Sequence, residues 1–411
     1  MSCEDGRQGR SPLGVRVSSM RRVLACFFAL TAALPALVPL AATAASGAPG
    51  CASRPAPADG GYEELASVLE PLRQKYNLPA LGAAVVTPDG VKALGVVGIR
   101  KYGDTTPACV EDAFHLGSDT KAMTAVVIAK LVEQGKLKWT TTVRDLLSDI
   151  TAQDPAYASV TLDQLLAHRS GLAHDPTSVS NDALRHLEGS MHARREAYAR
   201  IALHEAPAKP PGTIFFYSNT GYVLAGLMAE RATGRPWEEL VRDTLFLPLA
   251  MKGAGFGITA SPGQVDGLWA HEEKAGVPVP VEPGLNSDNP IFMSPAGNVH
   301  VSMEGWAQFI ADMLRGFEGT GRVLSKASYQ HLHTPPFEGT TYAYGWETLD
   351  RGWAGGTAYS HAGSNTLNYA VAWVAPKRRF AVLVATNIRT DTTPRACDDV
   401  ASVLLKPYLG Q

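Results

Sequence analysis

The sequence predicts an α+β fold: an antiparallel sheet built from both ends of the chain, flanked by terminal helices, with a helical region inserted between. Three observations carry this. Short β-rich runs sit near the two ends and are scarce in the middle. The middle is filled by segments of helical period. Tight turn chemistry joins neighbouring strand-like runs, as antiparallel neighbours require.

The N-terminus comes first because it is set aside. Arg21 and Arg22 precede an uncharged stretch from Val23 to Leu40, and Ala42-Thr43-Ala44 offers a small-residue cleavage site. Residues 1–45 therefore read as a signal peptide, and Met20 is an alternative start that would leave residues 1–19 untranslated. Pro35, Pro39 and the alanine-rich composition argue against a membrane-spanning anchor. Residues 46–61 form a Pro-, Ala- and Gly-rich linker, and residues 62–411 the working domain. Cys51 follows the signal closely enough to be a candidate lipid anchor, although Ala48-Pro49-Gly50 is a poor lead-in.

Within the domain, Tyr62 to Tyr76 spaces Leu65, Val68, Leu69 and Leu72 as an amphipathic helix. Leu81 to Thr87 and Val91 to Val97 form a hairpin around Pro88-Asp89-Gly90. A helix spans Ser118 to Gln134, with Gly135 placed to stop it. Helical segments follow at Val143 to Leu147, Leu162 to His168, Asp182 to His204, Thr220 to Thr233 and Trp237 to Phe246. Residues 252–298, rich in Gly and Pro, read as long loops. Helices return at Met303 to Arg315 and Ser325 to Leu332. Four strands follow, at Tyr342 to Leu349, Thr357 to His361, Leu367 to Val374 and Phe380 to Asn387, and Arg395 to Leu409 closes as a helix.

Composition narrows the function classes. The chain has 37 basic and 39 acidic residues, 18% charged and 45% hydrophobic, which is ordinary for a globular protein. No basic patch interleaved with aromatics is present, so nucleic acid is not an expected partner. Cys51, Cys109 and Cys397 remain after processing; any two could pair, and they match no zinc spacing. His331-Leu332-His333 lacks a third ligand at metal spacing, and no cofactor is implied.

The chemistry is carried by short stretches. Ser118-Asp119-Thr120-Lys121 places a hydroxyl and an amine three apart at a helix start, on one face and near the positive end of the dipole. Alone, that is as readily a capped helix with a solvated lysine. Tyr217-Ser218-Asn219 could likewise be a packed aromatic and an N-cap, and His361-Ala362-Gly363 a sheet histidine before a glycine. Together and in this order, the three stretches resemble the motifs of the serine β-lactamase and penicillin-binding-protein superfamily, in its class C and related esterase and peptidase branch. Leu165-Leu166-Ala167-His168-Arg169-Ser170-Gly171-Leu172, Phe246-Leu247-Pro248-Leu249-Ala250-Met251 and Met293-Ser294-Pro295-Ala296-Gly297-Asn298 are similar to three further family segments; Asn298 stands where Gly is usual. The resemblance runs from about Tyr62 to Leu409.

That resemblance implies a β-lactamase/transpeptidase-like fold with the site between sheet and helical region. It implies Ser118 as nucleophile, with Lys121 and Tyr217 beside it as acid–base groups, the choice between them left open. Asn219 would orient Lys121 and contact substrate, and the backbone N–H groups of Ser118 and Ser364, beside Gly363, would form an oxyanion hole. Ser170-Gly171-Leu172 would be a structural turn. His361 occupies the position where lactamases and transpeptidases usually carry a permanently charged lysine, so a neutral imidazole would weaken carboxylate anchoring and give it a pH dependence. The expected function is a secreted or periplasmic hydrolase of a small ester or peptide, acting through a Ser118 acyl-enzyme. The alternatives are a true β-lactamase or DD-carboxypeptidase, and a slow-turnover receptor of cell-wall peptides or β-lactams. The membrane would be involved only through the signal peptide or a lipid on Cys51.

Overall fold

The computed structural model describes residues 61–150 and 154–409, all within one compact unit. The expected signal peptide, most of the linker and Cys51 lie outside the described residues. The chain begins with β1 (Glu63–Glu64), the helix Ala66–Lys75 and the hairpin β2 (Ala80–Thr87) and β3 (Gly90–Gly98). β4 (Ala113–His115) runs into a 3-10 turn, Gly117–Asp119, and then the helix Thr120–Glu133. The inserted helical region follows, with its longer helices at Met191–His204 and Asn219–Thr233.

The expected long loops of 252–298 contain more than loops. β5 (Gly255–Phe256), the hairpin β6 (His271–Lys274) and β7 (Val277–Pro280), and a helical turn Ser294–Gly297 lie there, before β8 (Val299–Ser302). These pieces are too short to show a period, and β7 tolerates Pro278 and Pro280 because it belongs to an isolated two-stranded ribbon. The expected helix 182–204 is two helices, Asn181–Arg185 and Met191–His204, broken at Gly189 with φ 101° and restarted by the Ser190 cap.

After the helix Met303–Glu318 come β9 (Glu347–Arg351), β10 (Gly356–Ser364), β11 (Tyr369–Ala375) and β12 (Phe380–Thr386), and the helix Thr393–Leu405 ends the fold. The sheet order is β1-β3-β2-β12-β11-β10-β9, antiparallel except for the two-residue β1 beside β3. Both chain ends thus meet at the β2–β12 pair. Both faces of that sheet are buried. In β12, Ala381, Leu383 and Ala385 belong to the core shared with the helical region, whereas Phe380, Val382 and Val384 belong to the core under the terminal helices. A strand covered on both faces reads as a continuous apolar run, as Phe380 to Ala385 does.

The helix Thr120–Glu133 lies at the centre rather than on a surface. Every residue from Thr120 to Ala129 is buried, so the single apolar face expected from the sequence is in fact burial all round. Its polar residues are then obliged to find partners. Thr124 donates to Pro295 O at 2.7 Å, and Lys121 makes the contacts described below.

Candidate active site

Ser118 sits inside the 3-10 turn rather than at the helix N-cap. Asp119 holds the cap position, without a side-chain cap bond. Lys121 is fully buried, and its Nζ lies 3.0 Å from Ser118 Oγ, 2.8 Å from Asn219 Oδ1 and 2.7 Å from Ala296 O. Three short segments far apart in sequence therefore converge on one amine. Burial lowers the Lys121 pKa to about 7, against the opposing charges of Asp175 and Asp119. A lysine with that value is half neutral near pH 7 and can accept a proton.

Tyr217 is half-buried, with Lys121 Nζ 4.9 Å from its ring centroid. Burial pushes its phenol up, and a hydrogen bond with the Ser118 side chain opposes that. His168 explains its placement. Its carbonyl accepts from Phe216 N at 2.7 Å, its Nδ1 accepts from Ser218 N at 3.1 Å, and its ring packs 4.2 Å from the Tyr217 ring. Asn219 is the first residue of its helix; the N-cap is Ser218, whose Oγ accepts from Gly221 N at 3.1 Å. Asn219 is thus free to serve Lys121.

Two glycines bring the backbones of Ser118 and Ser364 together. Gly117 has φ 52°, and a Cβ there would stand 2.3 Å from Ser364 N. A Cβ on Gly363 would stand 1.9 Å from Leu116 O and 2.7 Å from Ser118 N. No side chain fits at either point, so the Ser118 turn and the end of β10 touch backbone to backbone.

A buried polar bridge fixes this approach from behind. His115 Nδ1 accepts from Gly117 N at 3.1 Å, and its Nε2 lies 3.0 Å from Asp288 Oδ1. Asp288 also accepts from Asn365 Nδ2 at 2.8 Å, Asn289 N at 2.7 Å and Asn298 Nδ2 at 3.3 Å. Although burial alone raises a carboxyl, these donors, led by His115, hold the Asp288 pKa below its ordinary value. Asp288 therefore ties the residue before Ser118 to the residue after Ser364. The unusual Asn298 is one of its donors.

His361 departs from its expected place. It is 6% exposed, its Nε2 lies 3.1 Å from Tyr342 OH, and it is not on the wall of the cavity that holds Ser118. Burial, and then the nearby Lys121 charge, lower its pKa to about 3. The expected protonation of His361 between pH 8 and 6 is thus corrected: desolvation keeps the ring neutral there, and it cannot supply a titrating cation. The cavity itself encloses about 310 Å³, with Ser118, Asn219 and Ser364 on its wall together with His174, Asp175, Arg185 and Asn289. Lys121 and Gly363 lie behind that surface. Ser170-Gly171-Leu172 is the structural turn expected: Gly171 has φ 76°, and a Cβ there would meet Lys209 O at 2.1 Å.

The sequence reading missed Asp288, His115, Asn365, His168, His174 and Asp175 as parts of the site. His115 and Asn365 flank the motifs directly, which was a usable signal. Asp288 lies in a stretch read as loop and carried none. Among the cysteines, Cys109 is disulfide-bonded and Cys397 is a buried free thiol, so those two do not pair with each other. Among the described residues, no helix is long and apolar enough to cross a membrane.

Known proteins resemble this chain in sequence and fold. The Beta-lactamase family model matches residues 65–405. Penicillin-binding protein 4 of Amycolatopsis lactamdurans is 27% identical over 335 residues, covering 77% of this chain and 82% of that protein. The unguisins hydrolase ungD' of Aspergillus campestris is 24% identical over 308 residues, covering 70% of this chain and 54% of that protein. Protein flp of Staphylococcus aureus (strain N315) is 23% identical over 346 residues, and the match spans 81% of this chain but 64% of flp. In three dimensions, the octameric penicillin-binding protein homologue from Pyrococcus abyssi superposes with a TM-score of 0.69 at 24% identity, over 83% of this chain and 77% of that one. The chain is a serine hydrolase, and it belongs to the Beta-lactamase family.

Proposed function

We propose that this is a secreted or periplasmic hydrolase that cleaves a small ester or peptide through an acyl-enzyme on Ser118. The observation that carries the reading is the 3.0 Å contact between Ser118 Oγ and Lys121 Nζ, with the amine buried and its pKa lowered to about 7. Neutral Lys121 takes the Ser118 proton as Oγ attacks the acyl carbon, then gives it to the leaving oxygen or nitrogen. The N–H groups of Ser118 and Ser364 meet the developing oxyanion. Tyr217, its phenol pushed up by burial, stays protonated and donates to Oγ or the leaving group. Asn219 holds Lys121 in line.

The substrate preference rests on His361. A neutral, buried imidazole offers no cation to the carboxylate of a lactam, so esters and small peptides are favoured over β-lactams. The signal-like residues 21–44 support export. The test sets purified protein against a short-chain nitrophenyl ester, a D-amino-acid anilide and a chromogenic cephalosporin, with Ser118→Ala as control. The expected result is ester or anilide turnover that disappears in S118A, together with loss of fluorophosphonate labelling. Undiminished turnover in S118A overturns the nucleophile, and fastest turnover on the cephalosporin overturns the preference.

A further inference from the structure

One pair of titratable side chains in the Ser118 cavity takes no proton in the acylation steps above. His174 and Asp175 both line that cavity, with His174 Nδ1 2.6 Å from Asp175 Oδ2. The carboxylate can only accept, so Nδ1 carries the proton, and Nε2 is the ring nitrogen left to accept one. Asn219 Nδ2 stands 3.5 Å from Nε2, a separation too long for a strong bond and open to competition from water. The His174 ring stacks on Tyr217 at 5.7 Å between centroids, and the Tyr217 ring lies 4.9 Å from Lys121 Nζ.

The pair is built into the fold rather than loose on the surface. His174 O accepts from Asn219 N at 2.9 Å and from Thr220 N at 3.2 Å, and Ala173 O accepts from Ser218 Oγ at 2.7 Å. The loop is thereby pinned to the same helix start that presents Asn219 to Lys121. The other Asp175 oxygen accepts from Tyr198 OH at 3.3 Å, and the fully buried Tyr198 is itself 2.9 Å from Thr220 Oγ1. A carboxylate that orients an imidazole, and is itself oriented from the core, is the arrangement that fixes a general base.

We propose that His174, oriented by Asp175, is the general base of deacylation. The inference rests on the Ser118 acyl-enzyme. Lys121 Nζ lies 3.0 Å from Oγ itself, with Asn219 Oδ1 and Ala296 O accepting its two N–H groups when neutral, so its lone pair faces the bond being made in acylation. The water that removes the acyl group must come from the open cavity, where His174 stands. Its oxygen attacks the acyl carbon while one of its protons passes to His174 Nε2, giving an imidazolium held by Asp175. The carbon–Oγ bond then breaks, Ser118 regains a proton equivalent to the one His174 took, and the carboxylic acid leaves. Tyr217 is a weaker candidate for this step, because burial disfavours its phenolate. Asp175 acts through His174 and is a positioning residue.

The experiment is a stopped-flow burst assay with a nitrophenyl ester on His174→Ala, His174→Gln and Asp175→Asn, followed by intact mass. The His174 side chain is 58% exposed, so its truncation leaves the core intact, and fluorophosphonate labelling of Ser118 reports folding and acylation separately. In H174A and H174Q, labelling and the burst should proceed near the wild-type rate. Steady-state turnover should fall about 100-fold or more, with an acyl adduct accumulating. Hydroxylamine, a nucleophile that needs less base assistance than water, should restore turnover. D175N should lie between the two. Wild-type turnover in H174A and H174Q overturns the proposal, as does an equal loss of burst and turnover, or a rise in KM alone. Turnover that survives in S118A would instead remove the underlying acyl-enzyme.

Discussion

Acylation should titrate with Lys121, and the structure sets where. The amine is fully buried and its pKa falls from 10.5 to about 7. At pH 7 about half of the molecules then hold the neutral base, against roughly 1 in 3,000 for an unshifted lysine. Below the pKa the ammonium cannot accept the Ser118 proton, so the burst rate should drop about tenfold per pH unit. By pH 5 it should stand near one-hundredth of its plateau. Lys121→Arg replaces the amine with a group that never loses its charge, and should cut acylation by about 100-fold or more at every pH. Asp175→Asn removes the carboxylate charge that most favours the ammonium, so its limb should move to lower pH. The assay is stopped-flow burst kinetics from pH 5 to 9. A limb that rises only towards pH 10, or a K121R enzyme acylating within tenfold of wild type, refutes the reasoning.

Three further outcomes follow from the packing. Gly363→Ala puts a methyl 1.9 Å from Leu116 O and 2.7 Å from Ser118 N, so it should abolish turnover and cost roughly 1–3 kcal/mol of stability, read by kcat and denaturant unfolding. Asp288→Ala strands the donors of His115, Asn365, Asn289 and Asn298; kcat should fall while KM moves little, with about 1–3 kcal/mol lost for each donor left dry. A change confined to KM would mean that Asp288 does not position the oxyanion donors. His361→Lys places a second amine near Lys121 in a buried position, so Tm should fall. Wild-type KM for anionic substrates should show no trend from His361 between pH 6 and 8, a range far above its pKa.

The sequence by itself determined the sheet from both chain ends, the helical insert and the nucleophile motif. Local period and turn chemistry act over a few residues and survive in a one-dimensional reading. Ser118, Lys121, Tyr217 and Asn219 were legible only through the resemblance of their motifs taken together and in order, since each stretch alone also reads as a helix cap or a packed aromatic. Tertiary structure alone decided the rest. The neutrality of His361 and the lowered pKa of Lys121 are desolvation effects, set by what covers each group, and no spacing encodes that. The reach of Asp288 across to Asn365 and His115 joins residues 77 and 173 positions apart. Likewise, His174 and Asp175 became candidates only when the cavity around Ser118 showed that they share its wall. Charge and proximity in a folded chain are properties of the enclosure, and the enclosure exists only once the distant segments have met.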